Sequence, residues 1–444
     1  MSLAFPDDFL WGAATSAYQI EGSPLADGAG ASNWHRFSHQ PGRVDGGDTG
    51  DLACDHYRRW REDVALLADL GVKAYRFSVA WSRVQPDGRG AFNGAGLGFY
   101  ERLVDALLAR GIQPFATLYH WDHPAALDDV GGWLNPDMPK RFGDYAAQVF
   151  RALDDRVGHW MTLNEPWVVM ECGYRIGTHP PALRRLGALP WVARHLLQAH
   201  DTAVRIYREA GRNQIGLVVN LEPKYAASAE GVDQAARDRA EAYINRLFLD
   251  PVYLGHYPEA LRPYFNAWAP DFDFDADAGL RRPIDFLGVN YYSRSVVRNA
   301  PGTEPVDAGG VRQNAPHTAM GWEVYPQGLT DILRWVREVY GAMPLHITEN
   351  GSAFSDPEPK AGKIDDPPRA EYLRRHLAAA HAAIDAGVDL RGYFAWSLLD
   401  NFEWNFGYAK RFGLVGLDPE TLDRIPKRSA ALYRAVIDEN AVPE

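Results

Sequence analysis

Residues 60–79 read WREDVALLADLGVKAYRFSV, and this stretch indicates the fold of the chain. Its first half carries apolar residues at Val64, Leu67 and Leu70, which is the spacing of one face of an amphipathic helix. Gly71 then marks the end of that helix. The apolar run AYRFSV that follows is typical of a buried strand. Helix, glycine and strand together form one unit of an α/β protein.

The same unit recurs along the chain. Gly111 and Gly387 each separate a predicted helix, Tyr100–Leu108 or Leu373–Ile384, from a predicted strand. A doubly wound open sheet is disfavoured because no glycine-rich phosphate turn follows the first strand. We therefore predict one (β/α)8 TIM barrel over residues 1–444. Its predicted strands are Phe9–Thr15, Ala74–Val79, Gln113–Tyr119, His159–Leu163, Ile215–Asn220, Asp285–Asn290, Leu345–Thr348 and Gly392–Trp396.

Three long segments rich in Pro, Gly and polar residues interrupt this pattern, namely Asp27–Gly50, Arg298–His317 and Ser355–Pro368. Each comes after a strand, on the side where a barrel builds its active site. Loops of this length are uncommon in a compact barrel unless they shape a site. We therefore expect them to surround a deep active-site pocket.

Composition limits the partners of the chain. Its net charge is -12 and its pI about 5.6, so nucleic acid and anionic membrane are not expected partners. No apolar run is long enough to span a bilayer, and the first residues lack the features of a signal peptide. Cys54 and Cys172 are too few for a disulfide framework, which favours free thiols in a reducing compartment. We therefore expect a cytoplasmic protein.

Two glutamates stand at the ends of predicted strands. Glu165 ends WMTLNE (160–165) and Glu349 ends LHITE (345–349), so both are expected at the rim where barrels place active sites. Two carboxylates at one rim are the minimum equipment for cleaving a glycosidic bond. Each could alternatively be a structural carboxylate, and the buried Arg76 needs such a partner. Pairing with Arg76 should lower the pKa of Glu349 and keep it ionised.

The segment WSLLDNFEW (396–404) places two tryptophans and a glutamate after the last strand. Tryptophan offers a stacking face to a sugar, and Glu403 can accept hydrogen bonds from adjacent hydroxyls. The alternative is a hydrophobic plug with Glu403 facing solvent. We favour sugar binding because exposed loops seldom carry so many aromatic residues without a partner.

Two segments resemble metal sites superficially. His120, Asp122 and His123 fit no zinc spacing, and a neutral His120 that donates to a sugar hydroxyl is the more economical interpretation. The segment Asp45–Asp51 is rich in aspartate and glycine, but His56 stands where a calcium loop needs glutamate, so we interpret it as a turn. Neither segment predicts a metal.

The chain resembles glycoside hydrolase family 1, the β-glucosidases and their relatives, nearly from end to end. The motifs that carry the resemblance occur in the family's order. They are FLWGAATSAYQIEG (9–22), YRFS (75–78), WSR (81–83), TLNEP (162–166), NYY (290–292), GWE (321–323), ITENG (347–351) and WS (396–397).

The resemblance implies a role for each matching residue. Glu165 is the expected general acid/base and Glu349 the expected nucleophile of a retaining enzyme. The groups expected to orient the nucleophile are Arg76, Tyr292 and Asn290. The residues expected to bind the non-reducing sugar are Gln19, His120, Asn164, Trp396, Glu403 and Trp404. Trp322 and Trp167 are the expected walls toward the leaving group, and a cis peptide bond is expected after Trp396.

The implied reaction releases terminal β-D-glucosyl residues from cello-oligosaccharides such as cellobiose and from aryl or alkyl glucosides. It proceeds through a glycosyl-enzyme intermediate and needs neither metal nor organic cofactor. Galactosyl and fucosyl substrates stay open, as does the oligomeric state. A 6-phospho-β-glycosidase is disfavoured, because that branch usually has Ser where Glu403 stands.

Three further alternatives differ in class from a β-glucosidase. A catalytically silent sugar-binding barrel typically lacks one carboxylate, whereas both are present here. A metal-dependent barrel hydrolase or lyase would use His120, Asp122 and His123. A transglycosidase would pass the sugar to acceptors other than water.

Overall fold

The computed structural model describes residues 2–276 and 280–443, and its centre is a closed barrel of eight parallel strands. The barrel closes where the eighth strand pairs with the first, with Gly392 opposite Leu10. The predicted (β/α)8 fold is confirmed, and each strand boundary lies within two residues of its prediction. In chain order, β1 to β8 are Leu10–Ala14, Ala74–Ser78, Gln113–Tyr119, His159–Asn164, Gln214–Asn220, Phe286–Asn290, Leu345–Asn350 and Leu390–Trp396.

Helices cover the outside of the barrel, and every strand is followed by at least one. The long outer helices are His56–Asp69, Gly94–Leu108, Met138–Leu153, Leu189–Ala210, Gly231–Glu241 with Leu247–Tyr253, Gln327–Tyr340, Pro367–Asp385 and Arg428–Glu439. Shorter α-helices are Ala17–Ile20, Asn33–Ser38, Trp81–Val84, Ala125–Asp128, Pro166–Met170 and Arg262–Trp268, and π-helical turns are Glu171–Ile176 and Ala242–Arg246.

Short strands outside the barrel tie the loops together. Leu3–Ala4 pairs with Ala441–Val442 and joins the two ends of the chain. Val415–Leu417 pairs with Arg424–Pro426. A three-stranded sheet is formed by Lys224–Ala226, Ser295–Asn299 and Ala308–Gly310.

The strands are buried on both faces because helices pack outside and apolar side chains fill the interior. Phe115, Met161, Val218, Phe286 and Phe394 belong to the interior cluster. The interior therefore is a packed core, and Glu165 and Glu349 lie at the carboxyl ends of β4 and β7.

Two composition-based expectations can be compared with the structure. Cys54 and Cys172 are free thiols. Among the residues that the structure describes, no helix has the length and apolarity needed to cross a membrane.

Candidate active site

A cavity of about 480 Å³ opens at the carboxyl end of the barrel, and Glu165 and Glu349 both line it. Most of the predicted site residues share this wall: His120, Trp167, Asn290, Tyr292, Trp322, Trp396, Glu403 and Trp404. Gln19, Arg76 and Asn164 are fully buried behind it. Each of these three hydrogen-bonds to a residue of the wall.

Both carboxylate oxygens of Glu349 have a donor. Arg76 Nη1 donates to Oε1 over 2.5 Å, and Tyr292 Oη donates to Oε2 over 2.7 Å. Burial raises the pKa of Glu349, while Arg76 and Tyr292 act in the opposite direction. Arg76 lowers the pKa of Glu349 as expected, but burial has the larger effect, so the pKa lies above its usual value. The pairing with Arg76 still favours the ionised form of this carboxylate.

Glu165 has a different environment. Asn290 Nδ2 donates to its Oε1 over 2.6 Å, and neither Lys nor Arg contacts it within the described chain. Burial, and next the negative charge of Glu349, raise the pKa of Glu165 to about 8. At neutral pH Glu165 therefore holds a proton. Glu349, which lies beside Arg76, is the first of the two carboxyl groups to ionise as the pH rises. Two neighbouring carboxyl groups in opposite protonation states can act as an acid and a nucleophile.

Asn164 connects the two carboxylates to His120. Its Oδ1 accepts from Arg76 Nη2 over 2.6 Å and from Asn290 Nδ2 over 3.0 Å. Its Nδ2 must therefore be the donor to His120 Nε2, 3.1 Å away. Burial and the charge of Arg76 hold the pKa of His120 well below its usual value, so the ring is neutral.

This network fixes the tautomer of His120. Since Nε2 accepts, the hydrogen lies on Nδ1, which has no hydrogen-bond partner among the described residues. His120 lines the same cavity as the two glutamates. A buried donor without a protein partner is what a ligand hydroxyl would satisfy.

Glu403 is held at the wall by Gln19. Gln19 Nε2 lies 3.3 Å from Glu403 Oε2 and also donates to the Phe402 carbonyl and to Asn401 Oδ1. Burial and the charge of Glu349 raise the pKa of Glu403 to about 8. At neutral pH this group can therefore both donate to and accept from hydroxyls, and it offers no positive charge to a phosphate.

Aromatic rings support the far side of the cavity. The Trp404 ring lies 4.6 Å from that of Trp34 and 4.7 Å from that of Trp121, centroid to centroid. The peptide bond between Trp396 and Ser397 is cis, as the resemblance implies. A Cβ atom on Gly351 would lie 1.8 Å from the carbonyl oxygen of Trp396, so only glycine allows β7 to approach this residue.

Three non-glycine residues with left-handed backbone meet around the cavity: Glu165 (φ 47°), Trp121 (φ 73°) and Trp404 (φ 52°). Such conformations are uncommon for residues with a side chain and persist where the surrounding structure holds them. Glu165 adopts its conformation directly before the helix Pro166–Met170, where the chain turns out of β4. The turn directs the carboxyl group into the cavity instead of along the strand.

The sequence analysis missed several residues of the site, among them Asn220, Thr348 and Trp121. Asn220 ends β5 and lines the cavity, so the strand-end signal that found Glu165 was sufficient to find it. Thr348 Oγ1 donates to Asn290 Oδ1 over 2.7 Å and orients that amide. Trp121 Nε1 donates to the Asn164 carbonyl over 3.0 Å. The last two contacts join segments that are far apart in the chain, and no local sequence pattern predicts them.

Within the part of the chain described, His120, Asp122 and His123 do not bring three ligand atoms close enough to share a metal ion. His123 Nε2 lies 2.8 Å from Asp128 and its Nδ1 faces the Tyr119 hydroxyl. A second concavity, of about 680 Å³, lies between Leu66–Leu70 and residues 357–365 and 426–434, away from the two glutamates. We place the candidate active site in the cavity that holds the glutamate pair.

Known proteins resemble this chain over its whole length. The family model "Glycosyl hydrolase family 1" matches residues 1–442. The 1,4-beta-D-glucan glucohydrolase of Thermotoga neapolitana is 46% identical over 444 residues, which cover 99% of both chains. Beta-glucosidase A of Thermotoga maritima has the same identity and coverage.

Solved structures agree with this relationship. The family 1 β-glucosidase from Thermotoga maritima superimposes with a TM-score of 0.97 at 46% identity and covers 100% of both chains. The same enzyme in complex with glucoimidazole gives a TM-score of 0.96 over 98% of this chain. The chain therefore belongs to glycosyl hydrolase family 1 and is a glycoside hydrolase.

Proposed function

We propose that this enzyme hydrolyses terminal, non-reducing β-D-glucosyl residues with retention of anomeric configuration. The observation that carries the proposal is the unequal glutamate pair in one cavity. Burial and the charge of Glu349 raise the pKa of Glu165 to about 8, and Arg76 Nη1 lies 2.5 Å from Glu349 Oε1. One acid and one ionised carboxylate at the same site are the equipment of a retaining glycosidase.

In the first step Glu165 donates its proton to the glycosidic oxygen while a Glu349 oxygen attacks the anomeric carbon. The bond from that carbon to the leaving oxygen breaks, the aglycone departs as an alcohol, and the sugar is esterified to Glu349. Glu165, now ionised, takes a proton from water, whose oxygen attacks the same carbon and releases Glu349. Two displacements restore the original configuration.

Residues around the pair are proposed to hold the sugar in place. His120 Nδ1 has no hydrogen-bond partner among the residues described, and Glu403 can exchange hydrogen bonds with hydroxyls. Trp396 and Trp404 offer apolar faces beside them, and Gln19 and Asn164 orient Glu403 and His120 from behind. Hydrogen-bonded hydroxyls and stacked sugar faces together fix the anomeric carbon between the glutamates.

The proposed substrates are cello-oligosaccharides such as cellobiose and also aryl or alkyl β-glucosides. The name of the Thermotoga neapolitana relative, 1,4-beta-D-glucan glucohydrolase, supports the first class. Trp167 and Trp322 line the cavity and are the proposed walls of the leaving-group site. We also propose that residues 1–444 act as one barrel domain and, from the two free thiols, that the protein is cytoplasmic.

A panel of p-nitrophenyl β-glycosides, with glucose, galactose, fucose and 6-phosphoglucose as the sugar, tests the proposal. We expect release of nitrophenol from the β-glucoside, with β-glucose as the first sugar product by NMR and full activity in chelator. A protein that binds glucosides without turnover would be a silent sugar-binding barrel. Loss of activity in chelator would indicate a metal-dependent enzyme, and alkyl glucosides as main products in dilute alcohol would indicate a transglycosidase.

A further inference from the structure

A second group of ligand-type side chains lies outside the cavity, in the long connection after β1. His35 lies in the helix Asn33–Ser38, His39 follows that helix, and Asp51 lies in a turn before the helix His56–Asp69. His35 Nδ1 is 3.2 Å from one carboxylate oxygen of Asp51, and His39 Nε2 is 3.0 Å from the other. The three ligand-type atoms lie within 4.8 Å of one another.

The tautomer of His39 is fixed by its other ring nitrogen. His39 Nδ1 lies 2.7 Å from the backbone carbonyl of His35, which can only accept, so Nδ1 carries a hydrogen. The neutral ring therefore turns a lone pair toward Asp51. Two acceptors 3.0 Å apart need a cation between them, which is either a proton on Nε2 or a metal ion. A histidine that donates its second N–H to a carbonyl is the usual arrangement of a metal ligand.

His35 supplies an independent observation. Its Nδ1 atom is buried and lies 3.2 Å from Asp51 Oδ1, at an angle outside that of a well-formed hydrogen bond. In the part of the chain described, the ion pairs of Asp51 are those with these two histidines, and no lysine or arginine shares it. The Asp51 carboxylate and the two ring nitrogens thus face one another, and no lysine or arginine of the described chain balances the charge of the carboxylate.

We propose that His35, His39 and Asp51 bind a divalent transition-metal ion such as Zn²⁺, at a site separate from the catalytic cavity. Zinc bonds of about 2.0–2.2 Å at tetrahedral angles place neighbouring ligand atoms roughly 3.3 Å apart. One ligand atom from each of the three residues lies within 4.8 Å of the other two, so small side-chain rotations bring them to that spacing. Imidazole selects Zn²⁺, Ni²⁺ and Cu²⁺ over Mg²⁺ and Ca²⁺, which prefer oxygen. Three protein ligands leave one tetrahedral position to water.

The bound ion would join the helix Asn33–Ser38 to the turn at Asp51. Trp34, the neighbour of His35, packs against Trp404 with ring centroids 4.6 Å apart. The ion therefore stabilises the connection that supports one wall of the cavity, and it takes no part in the chemical step. Binding to the folded state alone should raise the unfolding temperature in proportion to the logarithm of free Zn²⁺.

The test uses the full chain, freed of metal with a chelator and then dialysed. Zn²⁺ is titrated by calorimetry into the wild type and into His39→Ala, Asp51→Asn and His381→Ala. His381 is a matched control because it pairs with Asp385, 3.1 Å away, with no second histidine in the group. We expect one ion per wild-type chain, an affinity reduced by roughly tenfold or more in the first two variants, and no change in His381→Ala.

Two further measurements distinguish loss of a metal ligand from misfolding of the variant. Aryl glucosidase activity without metal should be unchanged in His39→Ala, since the polar partners of His39 in the described part of the chain are His35, Ser38 and Asp51, and none of them lines the catalytic cavity. Co²⁺ bound to the wild type should show the visible absorption of a tetrahedral nitrogen-ligated ion, and excess Mg²⁺ should not displace it. The proposal is overturned if the wild type binds no Zn²⁺, if His39→Ala binds it equally tightly, or if Co²⁺ keeps its aqueous spectrum.

Discussion

Arg76 and Glu349 form a buried ion pair at the carboxyl end of the barrel, with Nη1 of the arginine 2.5 Å from Oε1 of the glutamate. Arg76 also donates to Asn164, which contacts His120, so one guanidinium orients groups on β7 and β4 and, through Asn164, the residue that follows β3. The pair explains why two carboxyl groups in one cavity differ in protonation. Glu349 has a cation beside it, and Glu165 has an amide.

Replacing Arg76 should affect Glu349 in two separable ways. Arg76→Ala leaves a buried carboxylate without its cation, which costs about 3–5 kcal/mol in the free energy of unfolding and raises the pKa of Glu349 further. The acid limb of kcat/KM then moves to higher pH. Arg76→Lys keeps the charge but loses the fork contact with Asn164, so its acid limb should move less. An unchanged acid limb in folded Arg76→Ala would refute the assigned role of the pair.

The pH dependence of kcat/KM should show a basic limb near pH 8. Glu165 acts as an acid only while protonated, and its pKa is raised to about 8 by burial and by Glu349. Activity on alkyl glucosides should therefore hold through neutral pH and fall above about pH 8. Dinitrophenyl glucosides, whose leaving group needs no proton, should show a weaker limb. If Glu165→Gln kept the limb with these activated substrates, Glu403 would be its source.

Folding stability should respond to pH through Glu165 as well. Folded Glu165 keeps its proton up to about pH 8, whereas the unfolded chain releases it near 4.5. Between these values the folded state binds more protons, so the free energy of unfolding falls as pH rises. Glu165→Gln cannot ionise, and its unfolding temperature relative to wild type should increase from about pH 5 to about pH 9.

A control separates this effect from general pH sensitivity. Arg374 lowers the pKa of the surface residue Glu371 by a hydrogen bond, so Glu371→Gln should show no increase over this range. A constant difference between Glu165→Gln and wild type would mean that Glu165 titrates normally in the folded enzyme.

Glu403 should set the preference for unphosphorylated sugars. It is a buried acid held by Gln19, and the described residues that line the cavity include no lysine or arginine to meet a phosphate. Glu403→Ser should lower kcat/KM for p-nitrophenyl β-glucoside by roughly tenfold or more, and should raise the activity ratio of the 6-phosphoglucoside to the glucoside. Glu403→Gln, which keeps the size of the side chain, is the matched control. An unchanged ratio in Glu403→Ser would locate this selectivity elsewhere.

Much of the barrel could be predicted from the sequence because each strand is an apolar run bounded by turn residues. The first residues of the helices were harder to predict from the sequence. The predicted helices at Trp60, Tyr100 and Leu373 begin earlier, at His56, Gly94 and Pro367. Their first turns carry little of the apolar periodicity that was used to find them, and Asp55, before the first of them, makes no side-chain cap.

The residues of the candidate site also fall into those that local sequence predicts and those that it does not. Glu165, Glu349 and Glu403 could be found locally, because a carboxylate at the end of an apolar strand or in an aromatic loop is unusual. The Thr348–Asn290 contact and the His120 tautomer depend on residues that are far apart in the chain. The upward pKa shift of Glu349 depends on burial, whose size only the assembled barrel defines.

The central claim is that Glu349 is the nucleophile and Glu165 the acid, and azide rescue tests it most directly. Glu349→Gly should be inactive on p-nitrophenyl β-glucoside, because no carboxylate can attack the anomeric carbon. Azide should enter the vacated space and give α-glucosyl azide by NMR, whereas Glu165→Gly with azide should give the β-anomer from the opposite face. Normal turnover by Glu349→Gly without azide, or the β-azide as its product, would contradict the assignment.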